Sequence, residues 1–254
     1  MTHGIITAPQ PEAVEVGSLI LRGGGNAVDA AISSALVQTV VDPMMCGIAG
    51  FGSLQLYVPE KNFHGFIDFH TTAPQKVRED MWEDQIAHEA RDGFGFILKN
   101  RANEVGYESI MTPGTLKGFY EAIQEFGTMP WADIIQPAID FAEEGFTISP
   151  AIDEFWVRSG THGKISMNEK LSRNEMSRKI FLDEEGNAHP VGTRIKNIDM
   201  KQTLELIKQG GADVFYSGEI ARKINNDMKS NGGFLSDSDL KDYKTIRNEP
   251  LWGN

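Results

Sequence analysis

A chain of 254 residues with 40% hydrophobic and 24% charged side chains is long enough to bury a substantial core and too apolar for a disordered class. Its formal charge of −12 disfavours nucleic acid and anionic membrane surfaces as partners, since both reward a basic face. The single cysteine, Cys46, excludes an intrachain disulfide, no apolar run reaches membrane-span length, and no basic, apolar, small-residue leader precedes Gly4, so the expected location is the cytoplasm.

In chain order, residues 4–8 predict a short strand, and Pro9 and Pro11 predict a turn into a first helix over about residues 12–22. Gly23, Gly24 and Gly25 break that helix, and Asn26 predicts the cap of a second one, because its side chain can accept from the free N–H groups of the following turn. The second helix is Ala, Val, Ile, Ser and Leu on nearly every face, a composition that suits burial between layers. It leaves through Asp42-Pro43-Met44-Met45-Cys46 into a segment with three glycines in six residues, Gly47 to Gly52. Those glycines let backbone approach closely, either to a phosphate or oxyanion or to another piece of chain.

Residues 53–58 alternate as a half-buried strand, residues 59–62 turn the chain, and residues 64–69 bring it back as a β-hairpin. A charged, weakly periodic section at residues 81–107 is read as helical with poorly defined bounds. Pro113-Gly114 introduces a helix over residues 115–126 that stops at Gly127. Residues 131–144 predict another, with Ile134, Ile135, Ala138, Phe141 and Ala142 on one face and Gly145 at its end. Signals are mixed over residues 150–178; residues 180–182 read as a strand edge and residues 183–187 as a turn. Asp199 predicts the cap of a helix running to Lys208, and Ser217 that of one running to about Lys229. Residues 236–243 predict a short capped turn. With no repeat, low-complexity tract or linker, residues 1–254 are read as a single domain.

By residue type the chemistry is sparse. The chain has no zinc-type Cys/His spacing, no phosphate loop, no dinucleotide fingerprint and no Gly-x-Ser-x-Gly elbow, and no metal or organic cofactor is expected. Histidines 3, 64, 70, 88, 162 and 189 are scattered. Cys46 reads either as core filling or as a nucleophile activated by the glycine N–H groups.

The motifs already quoted, taken together, carry a resemblance. Residues 4–11 and the run from Gly17 through Leu21-Arg22-Gly23-Gly24-Gly25-Asn26-Ala27-Val28-Asp29-Ala30-Ala31 resemble the opening of the large subunit of the gamma-glutamyltranspeptidase family. Pro113-Gly114-Thr115, Phe126-Gly127, Trp131, Pro137-Ala138-Ile139, Ala142-Glu143-Glu144-Gly145-Phe146, Phe215-Tyr216-Ser217-Gly218, Gly232-Gly233 and Asp239-Leu240-Lys241-Asp242-Tyr243 follow in that family's order. The resemblance implies an α+β chain, part of the four-layer αββα sandwich of an N-terminal-nucleophile hydrolase. It implies a precursor that cuts itself, so that a threonine heads a small subunit and attacks an amide, with its own α-amino group as base. The expected partners are that small subunit and a small-molecule amide or γ-glutamyl substrate, with a homo-oligomer of the two-chain unit left open.

Because the sequence given stops at Asn254, short of the family's cleavage site, no catalytic residue is expected in it. Thr2, which loss of Met1 would expose, precedes the first large-subunit motif and is not read as the nucleophile. In the family, Asp-Phe-Arg-Glu-Thr-Ala-Pro ends the return strand, and its arginine clamps the substrate's α-carboxylate. Here the sequence is Asp68-Phe69-His70-Thr71-Thr72-Ala73-Pro74, so the resemblance places His70, with Thr71 and Thr72, at the acyl-binding position but without the arginine fork. Met44-Met45-Cys46 likewise stands where transpeptidases carry polar residues. The expected function is a gamma-glutamyltranspeptidase-like amide hydrolase or acyltransferase whose acyl group need not be γ-glutamyl; the alternative is an inactive paralogue or fragment with a structural or binding role.

Overall fold

The computed structural model of the chain describes residues 4–93, 95–157 and 163–253. The first helix, α1 (Pro11–Arg22), starts at a proline, where a missing N–H costs nothing, and buries Ala13, Val16, Gly17 and Ile20. Residues 4–8, expected as a strand, form no ladder. Side-chain packing holds them instead: a Cβ on Gly17 would lie 2.7 Å from Ile6 Cγ1, so the missing side chain is what admits Ile6.

Helix α2 (Ala27–Val41) begins at Asn26 as the sequence predicts, with Asn26 Oδ1 accepting from the N–H groups of Val28 and Asp29 at 2.9 Å each. Asp29 completes a capping box by accepting the Asn26 N–H at 2.8 Å. The same fully buried carboxylate accepts from the N–H and hydroxyl of Thr128 and from the Met129 N–H, 99 and 100 residues away. Burial runs around the whole helix, because α1 and α4 (Trp131–Glu144) pack on α2, as does α3 (Thr115–Phe126). Both α3 and α4 keep the bounds read from the sequence.

The sheet lies against this helical layer. Strand β1 (Gly52–Val58) pairs antiparallel with β2 (Phe63–Phe69), from Gly52 opposite Phe69 to Val58 opposite Phe63. A 3-10 turn at Pro59–Lys61, with Asn62 in the left-handed region, joins them. Strand order is β1-β2-β7, the last being Ile246–Asn248, with Ile246 opposite Asp68. The inward positions Leu54, Leu56, Ile67 and Phe69 belong to the apolar core. Beneath β1, between it and α2, is a cavity of about 700 Å³ lined by residues that include Ala31, Ile32, Leu54, Leu56 and Phe126.

Four further sequence readings are corrected. Residues 81–107 hold no α-helix among the described residues but a hairpin of β3 (Ile86–Glu89) and β4 (Phe96–Leu98); β3 is exposed throughout, so no alternation of buried positions could announce it. After β5 (Phe146–Thr147), the mixed stretch becomes α5 (Pro150–Val157), α6 (Met167–Ser172) and α7 (Glu175–Phe181). Ile180 and Phe181 are thus helical, and only Leu182 bridges to Ala188 around the predicted turn. Past β6 (Arg194–Ile195), Asn197 rather than Asp199 caps α8 (Ile198–Gly210), accepting the Met200 N–H at 2.9 Å. After α9 (Asp213–Tyr216), α10 (Glu219–Ser230) begins at Gly218, because the Ser217 hydroxyl is turned back to donate to the Asp213 carbonyl at 3.2 Å. The last helix, α11 (Asp237–Asp242), has the predicted cap: Ser236 and Asp239 form a second capping box. No described helix is long and apolar enough to cross a membrane.

Replacing Asp29 by alanine removes the buried acceptor on which donors of Asn26, Thr128 and Met129 converge. Urea unfolding of the complete protein is expected to show a loss of about 3 kcal/mol, with Asp29→Asn losing less because its amide oxygen still accepts. A loss under about 0.5 kcal/mol for the alanine variant would show that the network is not a stabilising centre.

Candidate functional site

Because Gly52 faces Phe69, the loop entering β1 and the segment leaving β2 lie side by side. The glycine-rich loop serves backbone packing: the Gly50 carbonyl accepts from the N–H groups of Gly114 at 2.9 Å and Thr115 at 3.2 Å, satisfying donors at the start of α3. Gly114 has no room for a side chain, since a Cβ there would stand 2.0 Å from the Tyr243 hydroxyl and 2.1 Å from the Phe69 carbonyl oxygen. Gly118, one turn on, is pressed against the Phe69 ring, with 2.3 Å between its missing Cβ and Phe69 Cδ1. Helix α3 therefore meets the end of β2 at backbone distance.

That contact fixes His70, Thr71 and Thr72. The Tyr243 hydroxyl donates to the His70 carbonyl at 2.8 Å, and Thr72 exchanges two backbone hydrogen bonds with Thr112, of 3.2 and 2.9 Å. Three residues on, the Gln75 N–H donates to Asp239 Oδ1 at 2.8 Å. Tyr216 supports the arrangement: its hydroxyl donates to the Pro113 carbonyl at 3.0 Å, and its ring stacks on Tyr243. Burial pushes both phenols up, Tyr243 to about 12 with help from the charges of Asp68 and Glu121, so its hydroxyl stays a donor at neutral pH.

The His70 side chain is 56% exposed and is held by Asp68, two residues earlier on the same face of the strand. One carboxylate oxygen, Asp68 Oδ1, accepts both the His70 backbone N–H at 2.9 Å and ring Nδ1 at 2.6 Å. The backbone N–H first, and then the ring, hold the Asp68 carboxyl below the usual carboxylate range. The Phe51 ring lies 5.3 Å from the His70 ring. His70 and Phe51 share the outward face of the sheet with Ser53, Tyr57 and Asp68. On and beside that face Phe51, Tyr57, Ile246 and Trp252 are each 58–79% exposed. His64 sits at its far end against Tyr57 and Trp252.

The remaining sequence candidates separate from this group. Cys46 donates to the Gln38 carbonyl at 3.2 Å, and its thiol is pushed up to about 12 by burial and by Asp42, which suits packing and not a thiolate nucleophile. His88 and His189 lie elsewhere, on β3 and in the loop before β6. Thr2, His3 and His162 fall outside the described residues. No group of three His, Cys, Asp or Glu side chains positioned for a metal occurs among the described residues. Sequence reading missed Asp68, Phe51 and Tyr243. The Asp-x-His spacing on a strand could have exposed the first; Tyr243, 173 residues from His70, had no local signal.

A family model described as gamma-glutamyltranspeptidase matches residues 13–254. The chain is 34% identical to the acylase ACY 1 proenzyme of Pseudomonas sp. (strain SE83), over 100% of this chain and 43% of that protein. It is 31% identical to the glutathione hydrolase proenzyme of Escherichia coli (strain K12), over 99% of this chain and 40% of that protein. Among solved structures, the gamma-glutamyltranspeptidase of Helicobacter pylori superposes with a TM-score of 0.86 at 29% identity, covering 100% of this chain and 68% of that one. The chain thus spans about two-fifths of the length of these curated relatives. With the α+β fold of those structures and a match across nearly its whole length, the chain belongs to the gamma-glutamyltranspeptidase family, as its large-subunit portion.

Proposed function

We propose that this chain is the large-subunit part of an amide hydrolase or acyltransferase whose nucleophile, an N-terminal threonine, comes from a small subunit of the same precursor. The observation that carries this reading is the outward face of the sheet. His70, Thr71 and Thr72 are held at its end by Tyr243, Thr112 and Asp68, while the aromatic residues along it remain open. A face of that kind, beside a β1 strand that pairs on one side only among the described residues, suits a second layer of sheet. The covering layer would bring the nucleophile over His70.

In that reaction the threonine hydroxyl gives its proton to its own α-amino group and adds to the substrate carbonyl. The C–N bond then breaks, and the amine leaves with the proton. An ester remains on the threonine, which water or an amino acceptor cleaves, giving hydrolysis or transfer respectively. The role assigned to this chain is to hold the acyl group. With His70 where transpeptidases carry an arginine, the two-pronged grip on an α-carboxylate is lost, so strict γ-glutamyl selection is not expected. The identity to both an acylase and a glutathione hydrolase proenzyme supports that breadth.

Intact mass and N-terminal sequencing of the protein expressed from the complete gene test the reading directly. Two chains are expected, the smaller beginning with Thr, with turnover of γ-glutamyl-p-nitroanilide or of an acyl anilide lacking the α-carboxylate. A single uncleaved chain without turnover would leave the inactive, structural alternative. His70→Arg restores a fork for the carboxylate and is expected to raise kcat/KM for the γ-glutamyl anilide by about tenfold or more; no rise would remove His70 from the acyl site. Cys46→Ser is expected to retain turnover, since a thiol near 12 supplies no nucleophile at neutral pH.

A further inference from the structure

Three features beyond the packing core invite a function: the cavity under β1, the exposed strand β3, and the Asp68–His70 pair. The pair is the one with a defined geometry that converges on a single atom. A carboxylate held ionised can only accept, so the 2.6 Å contact requires His70 Nδ1 to carry the proton it shares with Asp68. In the uncharged ring, Nε2 is then left as a bare acceptor. The second hydrogen bond, from the His70 backbone, holds the carboxylate in place, and the Phe51 ring lies 5.3 Å from the imidazole.

The charges around the ring disfavour a carboxylate ligand. Asp68 is the charged group in contact with it, and the other titratable neighbour, Tyr243, keeps its proton and reaches only the backbone carbonyl. The outward positions of β1, β2 and β7 carry no lysine or arginine. Arg247 stands opposite inward-facing Ile67 and is paired with Glu121 and Glu125 of α3. Among the described residues, these strand positions offer no cation to compensate a second negative charge beside Asp68.

We propose that Asp68 is a positioning residue that makes His70 Nε2 a hydrogen-bond acceptor, and that the acyl site therefore takes a neutral donor, an amide or hydroxyl, where a γ-glutamyl substrate carries its α-carboxylate. The inference rests on the acyl-binding role proposed for His70.

The test uses the protein from the complete gene and two anilides that differ at one group, γ-glutamyl-p-nitroanilide and the same compound with its α-carboxylate converted to the carboxamide. The carboxamide is expected to be preferred by about tenfold in kcat/KM at neutral pH, mainly through KM. Asp68→Asn is expected to erase most of that preference. His70→Gln, a change at an exposed side chain that the fold does not need, is expected to do the same. A native preference for the carboxylate at neutral pH, or an unchanged ratio in both variants, would overturn the proposal.

A readout independent of turnover separates this inference from the reading beneath it. Nitrogen NMR of the complete protein labelled in histidine is expected to show His70 protonated at Nδ1, with the Nε2 resonance moved by the carboxamide and not by the carboxylate. If neither anilide is turned over, the enzyme reading fails while the spectrum still reports on Asp68. An Nε2-protonated ring, or one moved only by the carboxylate, would refute the proposal whatever the activity.

Discussion

A buried carboxylate normally opposes folding, and Asp29 is tolerated because hydrogen-bond donors from two parts of the chain converge on it. Two consequences follow from that one side chain. It closes the N-terminal turn of α2, allowing a helix with almost no polar face to sit between other layers. It also ties that turn to residues 128 and 129, where the chain passes from α3 to α4, and Asn26 adds a bond to the Phe126 carbonyl at 2.7 Å. The end of α3 is thereby set relative to α2. The start of α3 is set by the Gly50 carbonyl, so both ends of the helix that underlies β2 are fixed before any site residue is considered.

From α3 the constraint reaches the site through absent side chains. Gly114 and Gly118 let the helix approach Phe69 more closely than any other residue would allow, and the same approach admits the Tyr243 hydroxyl beside Gly114. Tyr243 then holds the His70 carbonyl from a position late in the chain. A substitution at Gly114 would push on a backbone oxygen as well as on the tyrosine, so the placement of His70 depends on a residue with no side chain.

Elements with a local cause were legible in the sequence, and those with a distant one were not. Asn26 and Asp29 announce a helix start because a cap and its partner lie three residues apart, and Gly127 and Gly145 mark the ends of α3 and α4. The caps at Asn197 and Gly218 were misread because polar residues cluster there. Which of them caps depends on backbone angles, and Ser217 spends its hydroxyl on the preceding turn. Strand β3 is exposed throughout and β4 buries two adjacent residues, so neither alternates as periodicity requires. The site was half legible: His70, Thr71 and Thr72 came from a family resemblance, and only the fold shows that Asp68 restrains the first of them.

The location of His70 on an open sheet face gives that restraint its weight. In water a single aspartate beside an imidazole is a weak influence, because exposed charges are strongly screened. On the proposed reading a second layer covers the face, water leaves, and the same 2.6 Å contact acts in a medium where each charge counts for more. An arginine next to Asp68 would keep its own charge under that cover and still offer a fork to a carboxylate. A histidine bonded through Nδ1 has one nitrogen left for a ligand. On the proposed reading, a histidine at the end of β2 thus offers a ligand one ring nitrogen in place of a two-pronged cationic grip, on a strand held in place by glycines, tyrosines and capping boxes.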